Sequence, residues 1–194
     1  MTRAMDPRIL VINPNSTVAV TEGINAALAS LRMAGGPAIH CVTMPEGPPG
    51  IETQADVESV VQPICRAVQG HPAAAYVIAC FSDPGLHLAR EATESPVFGI
   101  AECAMLTAMT RGERFGIIAI LPASVPRHVR AVRALGIEQR FAASRPIGMG
   151  IAELTDGEKV MERMTAAGAW LRDERRADVT IMGCAGMARF KDGL

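Results

Sequence analysis

Five cysteines, at positions 41, 65, 80, 103 and 184, are the side chains of this sequence best suited to proton-transfer or covalent chemistry. Their number is odd and no two form a C-x-x-C pair, which argues against a disulfide framework. His40, His71, His87 and His128 are scattered, so no cluster has zinc spacing and no metal is expected. If these thiols act, they act as thiols. A thiol with a free pKa of about 8.5 needs only a modest downward shift to serve as a base near neutral pH. The partial positive charge of a helix N-terminus supplies such a shift. Two thiols on opposite sides of one carbon can remove a proton from one face and return one to the other. Cys80 and Cys184 are the candidates, because each directly follows an apolar, strand-like run. Inert packing is the alternative for any free cysteine. Cys41 in a strand, Cys65 in a helix and Cys103 take that reading; for Cys80 and Cys184 the residues alone leave both open.

The turn Asn13-Pro14-Asn15-Ser16-Thr17 is a second candidate site. Amide and hydroxyl side chains beside free helix N–H groups can hold a carboxylate, carbonyl or ureido group. A plain turn with Asn15 or Ser16 capping the next helix fits the same residues. Asp83 reads as a helix cap, with Pro84 at the first helical position. Arg127, Arg130 and Arg133 recur at helical spacing and read as a solvated face. The stretch 148–153 lacks the third glycine and the strand–helix context of a dinucleotide loop.

The elements that must position these residues alternate. Strands are expected over 8–12, 38–43, 74–79, 97–100, 115–121, 141–147 and 178–182. Helices are expected over 18–32, 53–69, from 83 onward, and over 101–110, 123–135 and 157–174. Strands apolar on both faces, alternating with helices, indicate an α/β fold of parallel sheets covered by helices. Each half opens with a strand and places a cysteine after its third, at closely similar spacing. This suggests two similar Rossmann-like domains, 1–98 and 99–194, related by a pseudo-twofold axis. Ligands of open parallel sheets bind beyond the carboxyl ends of the strands. Cys80, Cys184, the 13–17 turn and the 121–124 turn all lie at such ends, and a cleft between the halves would gather them.

Composition excludes several functions. Hydrophobic residues make up 49% and charged residues 20% of the 194, with a net charge of −1, as in ordinary globular proteins. There is no basic stripe for nucleic acid, and the lone Trp170 and Tyr76 offer no stacking platform. The start of the chain lacks the apolar core of a signal peptide. The longest apolar runs, such as 115–122, are too short to span a bilayer. A cytoplasmic protein acting on a small molecule is expected.

At these residues the sequence resembles the aspartate/glutamate/hydantoin racemase superfamily, in its hydantoin/allantoin racemase branch. The resemblance rests on Val11-Ile-Asn-Pro-Asn-Ser-Thr17, Ala79-Cys-Phe-Ser-Asp-Pro-Gly-Leu86 and Met182-Gly-Cys-Ala-Gly-Met187. Weaker echoes are Gly50-Ile-Glu52, Glu102 and Gly112-Glu-Arg-Phe-Gly116. It implies two α/β domains with the site between them, and cofactor-independent racemisation with Cys80 and Cys184 as acid and base. It also implies substrate contacts from Asn13, Asn15, Ser16, Phe81, Ser82, Gly183 and Ala185. Implied substrates are hydantoin-like ureido rings, whose acidic C–H lies between a carbonyl and a ring nitrogen. Backbone N–H groups near Cys80, Phe81, Cys184 and Ala185 would stabilise the enolate-like charge. Two departures stand out. Ala119 and Ile120 occupy the place of the family's paired threonines, removing hydroxyls from the expected cleft wall. The chain also stops ten residues after Cys184, where family members continue through elements that complete the first sheet. The resulting open sheet edge favours a homo-oligomer. The alternatives are arylmalonate decarboxylation, which needs one of the two cysteines, maleate isomerisation, or a truncated non-catalytic homologue.

Overall fold

A computed structural model describes residues 8–194. The charged stretch 1–7, read above as free of a leader, lies outside the described residues. Contacts cluster the chain into two compact units, one formed by Met1–Ile51 and Ala55–Ile100, the other by Glu52–Gln54 and Ala101–Leu194. Three residues that the sequence places amid the first half thus pack with the second.

The first unit runs β1 (Ile9–Asn13), α1 (Val18–Ala27), β2 (Ile39–Thr43), α2 (Gln54–Ser59), α3 (Val61–Gly70), β3 (Ala75–Ile78), α4 (Leu86–Glu91) and β4 (Val97–Gly99). All pairings are parallel, in the order β2-β1-β3-β4. Leu10, Val11 and Ile12 of β1 are all buried, as a central parallel strand covered on both faces requires. Leu10, Ile12, Val57, Val60, Ile64, Val68, Tyr76 and Ile78 form one core. The helix expected over 53–69 is two helices. Pro63 has no N–H to donate one turn back, and the chain restarts at Val61 with Ile64 N–H bonded to the Val60 carbonyl at 3.0 Å. The Tyr76 hydroxyl, deep in that core, donates to the Val68 and His71 carbonyls and accepts from Ala73 N–H.

The second unit contains α5 (Ile100–Ala108), β5 (Phe115–Ala119), α6 (Val125–Ala134), β6 (Phe141–Pro146), α7 (Gly157–Asp173) and β7 (Val179–Met182), with 3₁₀ turns at Ile151–Thr155 and Ala185–Gly193. Its sheet is parallel in the order β6-β5-β7. Every residue of β5 is buried. A side chain on Gly116 would meet Leu171 at 2.8 Å, so glycine lets α7 lie directly on the sheet. The edge strand β6 slips by one residue against β5 between Phe115 and Gly116. It is held by the Phe115–Phe141 ring contact at 5.7 Å and by Arg145 stacked over Trp170 of α7. Gly136, left-handed at φ 68°, ends α6 as expected of a C-terminal glycine.

Candidate active site

Each sheet reverses its winding at one point, and each reversal sits beside a cysteine. In the first unit the chain moves from β1 to β2 on one side, then returns past β1 to β3 on the other. The crevice at such a switch point is where open α/β sheets take ligands. Asn13 ends β1 and Cys80 follows β3; the Ala79 N–H donates to the Ile12 carbonyl at 2.8 Å, which draws the two strand ends together. In the second unit the switch lies between β5 and β7, and Cys184 follows β7. Gly183 N–H donates to the Ile118 carbonyl at 2.8 Å.

The 13–17 turn is a closed polar network. Asn13 and Asn15 are buried at 1% and 5% exposure. The Asn13 amide nitrogen donates to Asn15 Oδ1 and Thr21 Oγ1, each at 3.0 Å, and its oxygen accepts from Asn15 N–H at 3.2 Å. Asn15 Oδ1 also accepts from Thr17 N–H at 2.9 Å, and the Thr21 hydroxyl bonds that of Thr43. Thr17, rather than Asn15 or Ser16, is the N-cap residue of α1, and its hydroxyl donates to the Pro49 carbonyl at 2.7 Å. Both asparagines therefore shape the turn, while Ser16 is only partly buried.

The loop after β3 departs from its expected form. Cys80 is partly buried against the core, Phe81 is buried, and Asp83 N–H closes a turn onto the Cys80 carbonyl at 3.0 Å. Asp83 does not cap a helix. It is left-handed at φ 43°, and Gly85, the true N-cap of α4, is left-handed at φ 67°. Two such residues prevent a helix from starting before Leu86. The Asp83 carboxylate instead lies over Gly99, where an added Cβ would meet its carbon at 2.3 Å. No helix N-terminus directly follows Cys80.

Cys184 does stand at one. Extended at φ −157°, it is the N-cap of the Ala185–Gly193 turn. Gly183 before it is fixed by crowding, since a Cβ there would meet the Ile118 carbonyl oxygen at 2.7 Å. Burial pushes the Cys184 thiol up to about 11, against the Gly186 and Met187 N–H groups that bond its sulfur and favour the thiolate, with the Glu52 charge adding weakly to the rise. The side chain packs against the core that holds Ile120, Met149, Leu154 and Met187. Ala119 is fully buried and Ile120 nearly so, and both bond β6's continuation through their carbonyls.

Arg127 corrects the expectation of a solvated arginine face. It is 8% exposed, and its guanidinium donates to the carbonyls of Ala123 and Glu52 at 3.0 Å and to the Ser124 hydroxyl at 3.2 Å. Arg130 and Arg133 are exposed as expected, Arg130 reaching Gln54 Oε1 at 2.6 Å and Arg133 paired with Glu138. The buried Arg127 and the exposed Arg130 both bond residues 52–54, which lie as a strap on the second unit. The strap delivers the Glu52 carboxylate to Ile151 N–H at 2.7 Å, across ninety-nine positions of sequence. A side chain on Gly150 would meet that carboxylate at 2.8 Å, so a glycine admits it. Beside Arg127, His128 is 2% exposed and shares a hydrogen bond with Ser144 Oγ at 2.9 Å. Burial, aided by the Arg127 charge, pushes its pKa down to about 4.

Among the described residues no cysteine is joined in a disulfide. Among the described residues no group of three or more His, Cys, Asp and Glu could hold a metal, and no helix is long and apolar enough to cross a membrane.

The chain is 35% identical over 192 residues to a hydantoin racemase of Pseudomonas sp. (strain NS671), covering 96% of this chain and 76% of that protein. The structure of an allantoin racemase from Klebsiella pneumoniae superposes with a TM-score of 0.86 at 34% identity, covering 96% of this chain and 77% of that one. The allantoin racemase from Pseudomonas fluorescens gives 0.89 at 28% identity, with 96% and 80% covered. Residues 9–194 match the Asp/Glu/Hydantoin racemase profile, and the chain belongs to that family of isomerases.

Proposed function

We propose that this chain racemises a hydantoin-like or related amino-acid-derived substrate, using Cys80 and Cys184 and no cofactor. The observation that carries the reading is the coincidence, in each of two parallel sheets, of the winding switch point with a cysteine at the strand end. Inversion requires the two sulfurs to address opposite faces of one bound carbon. In one direction a Cys80 thiolate takes the C–H proton, an S–H bond forms, and the electron pair moves into the adjacent carbonyl as an enolate. Cys184 then gives its proton to the other face, a new C–H bond forms, and its sulfur is left as thiolate. The reverse direction exchanges the roles. Asn13, Asn15, Ser16, Phe81, Ser82, Gly183 and Ala185 are proposed to contact the ring, the two asparagines also holding the turn that presents Ser16. A developing enolate is stabilised by N–H groups aimed at it.

The test is solvent exchange. Enantiopure 5-substituted hydantoins, allantoin and aspartate are incubated in D₂O, with optical rotation and deuterium at the chiral carbon followed together. A hydantoin-like compound should lose rotation and gain deuterium. Cys80→Ser and Cys184→Ser should each lower racemisation by about a hundredfold or more, the scale of a lost acid or base. Full racemisation by either variant overturns the reading.

A further inference from the structure

His128 is a buried titratable side chain that the proton-transfer reading leaves without a part. It lies on α6 at 2% exposure. Burying an imidazole costs more than burying a leucine that would fill the same space, so its contacts indicate what it provides. Its Nδ1 shares a hydrogen bond with Ser144 Oγ of β6 at 2.9 Å, which sets the orientation of the ring. Its Cε1 lies against Gly183, where an added Cβ would stand 3.3 Å from it. The other atoms crowding that position belong to β5: the Ile118 carbonyl oxygen at 2.7 Å and Ile117 Cγ2 at 2.8 Å. Gly183 therefore rests on β5 and on the His128 ring together, one peptide bond before Cys184.

We infer that His128 is a positioning residue for Cys184: anchored on Ser144, its ring supports Gly183 and so fixes the backbone that carries the sulfur. The inference rests on the proton-transfer reading above. Cys184 follows Gly183 closely. It is extended, its carbonyl accepts from Met187 N–H at 3.0 Å, and the turn it opens packs on Leu154, whose Cδ1 would stand 3.0 Å from a Cβ on Gly186. A displacement of Gly183 therefore passes to the sulfur. Burial, aided by the Arg127 charge, keeps the ring neutral at neutral pH, so it acts by shape and by its Ser144 bond rather than by charge. Without the ring edge a gap opens beneath Gly183, into which the backbone can relax. A misplacement of about 1 Å in a reacting group costs about a hundredfold in rate.

The test separates proton exchange from inversion. His128→Asn keeps an amide for Ser144 and deletes the ring edge that meets Gly183; His128→Gln reaches as far as that edge; Ser144→Ala frees the ring. With Cys184 displaced, Cys80 can still exchange the proton of the enantiomer it faces, while delivery to the other face fails. In D₂O with a 5-substituted hydantoin, His128→Asn should therefore racemise about tenfold to a hundredfold more slowly with KM little changed. Its deuterium exchange from that one enantiomer should fall far less, so the ratio of exchange to racemisation rises. His128→Gln should recover most of the lost rate, and Ser144→Ala should raise the ratio by a smaller factor. Iodoacetamide labelling, read by mass spectrometry, follows the same displacement without turnover: the Cys184 peptide should label several-fold faster in His128→Asn, the Cys80 peptide as in the parent. An unchanged ratio with unchanged Cys184 labelling overturns the inference, as do equal changes at both cysteines, which mark a general loosening. Should His128→Asn fail to fold, Ser144→Ala carries the same two comparisons. A parent chain that turns over no substrate defeats the racemase reading, and labelling alone then decides whether His128 places Cys184.

Discussion

Acidification should destabilise the second unit through His128. In the native state this ring is buried beside Arg127, and its pKa falls from 6.5 to about 4. The unfolded chain takes up the proton as pH drops through about 6.5, while the native state resists until about 4. The stability that this neutral histidine preserves is therefore complete above about pH 6.5 and is lost as pH falls toward 4. With one pKa unit equal to about 1.4 kcal/mol, the loss is about 2 kcal/mol at pH 5 and about 3 kcal/mol by pH 4. Urea unfolding followed by Trp170 emission reads this out, because the chain's single tryptophan lies on α7 of the same unit. His128→Asn, which retains a polar partner for Ser144, should show a shallower fall in stability between about pH 7 and pH 5, even if it is less stable at neutrality. Carboxylates titrate in both proteins and cancel in the comparison. Equal pH dependence in the two proteins would refute the argument and mean that the His128 ring is solvated or already charged.

Gly99→Ala should destabilise the first unit by several kcal/mol, since its methyl has no room over the Asp83 carboxylate; adding Asp83→Gly should recover part of the loss in thermal unfolding. Arg127→Met should cost about 3 kcal/mol by leaving the Ala123 and Glu52 carbonyls and the Ser124 hydroxyl without their buried donor, measured by urea unfolding at neutral pH.

The strands were legible because their signal is local. Runs such as Ile9-Leu-Val-Ile12 and Phe115-Gly-Ile-Ile-Ala119 are apolar on both faces, and only a covered parallel sheet uses such runs. Helix ends were less so. Asp83-Pro84 carries the composition of a cap, yet the Asp83 carboxylate is drawn over Gly99, a residue on another strand, and its backbone turns left-handed to reach there. Arg127 could not be told from Arg130 and Arg133 by spacing; what distinguishes it is the Glu52 carbonyl, seventy-five positions away. Glu52 carried a family echo but no assigned role, because its partners lie on the far side of the chain's midpoint. Gly150, in a stretch set aside as lacking the features of a dinucleotide loop, leaves room for that carboxylate.

The strap has a consequence for how the molecule can be divided. A gene cut after Ile100 would release a C-terminal product missing three residues that pack with it, so Arg127 would lose its Glu52 carbonyl and Ile151 N–H its Glu52 carboxylate. During synthesis residues 52–54 leave the ribosome long before those partners exist and must wait for them. The second unit is therefore not one uninterrupted stretch of chain, and its folding depends on a segment made before the rest of it.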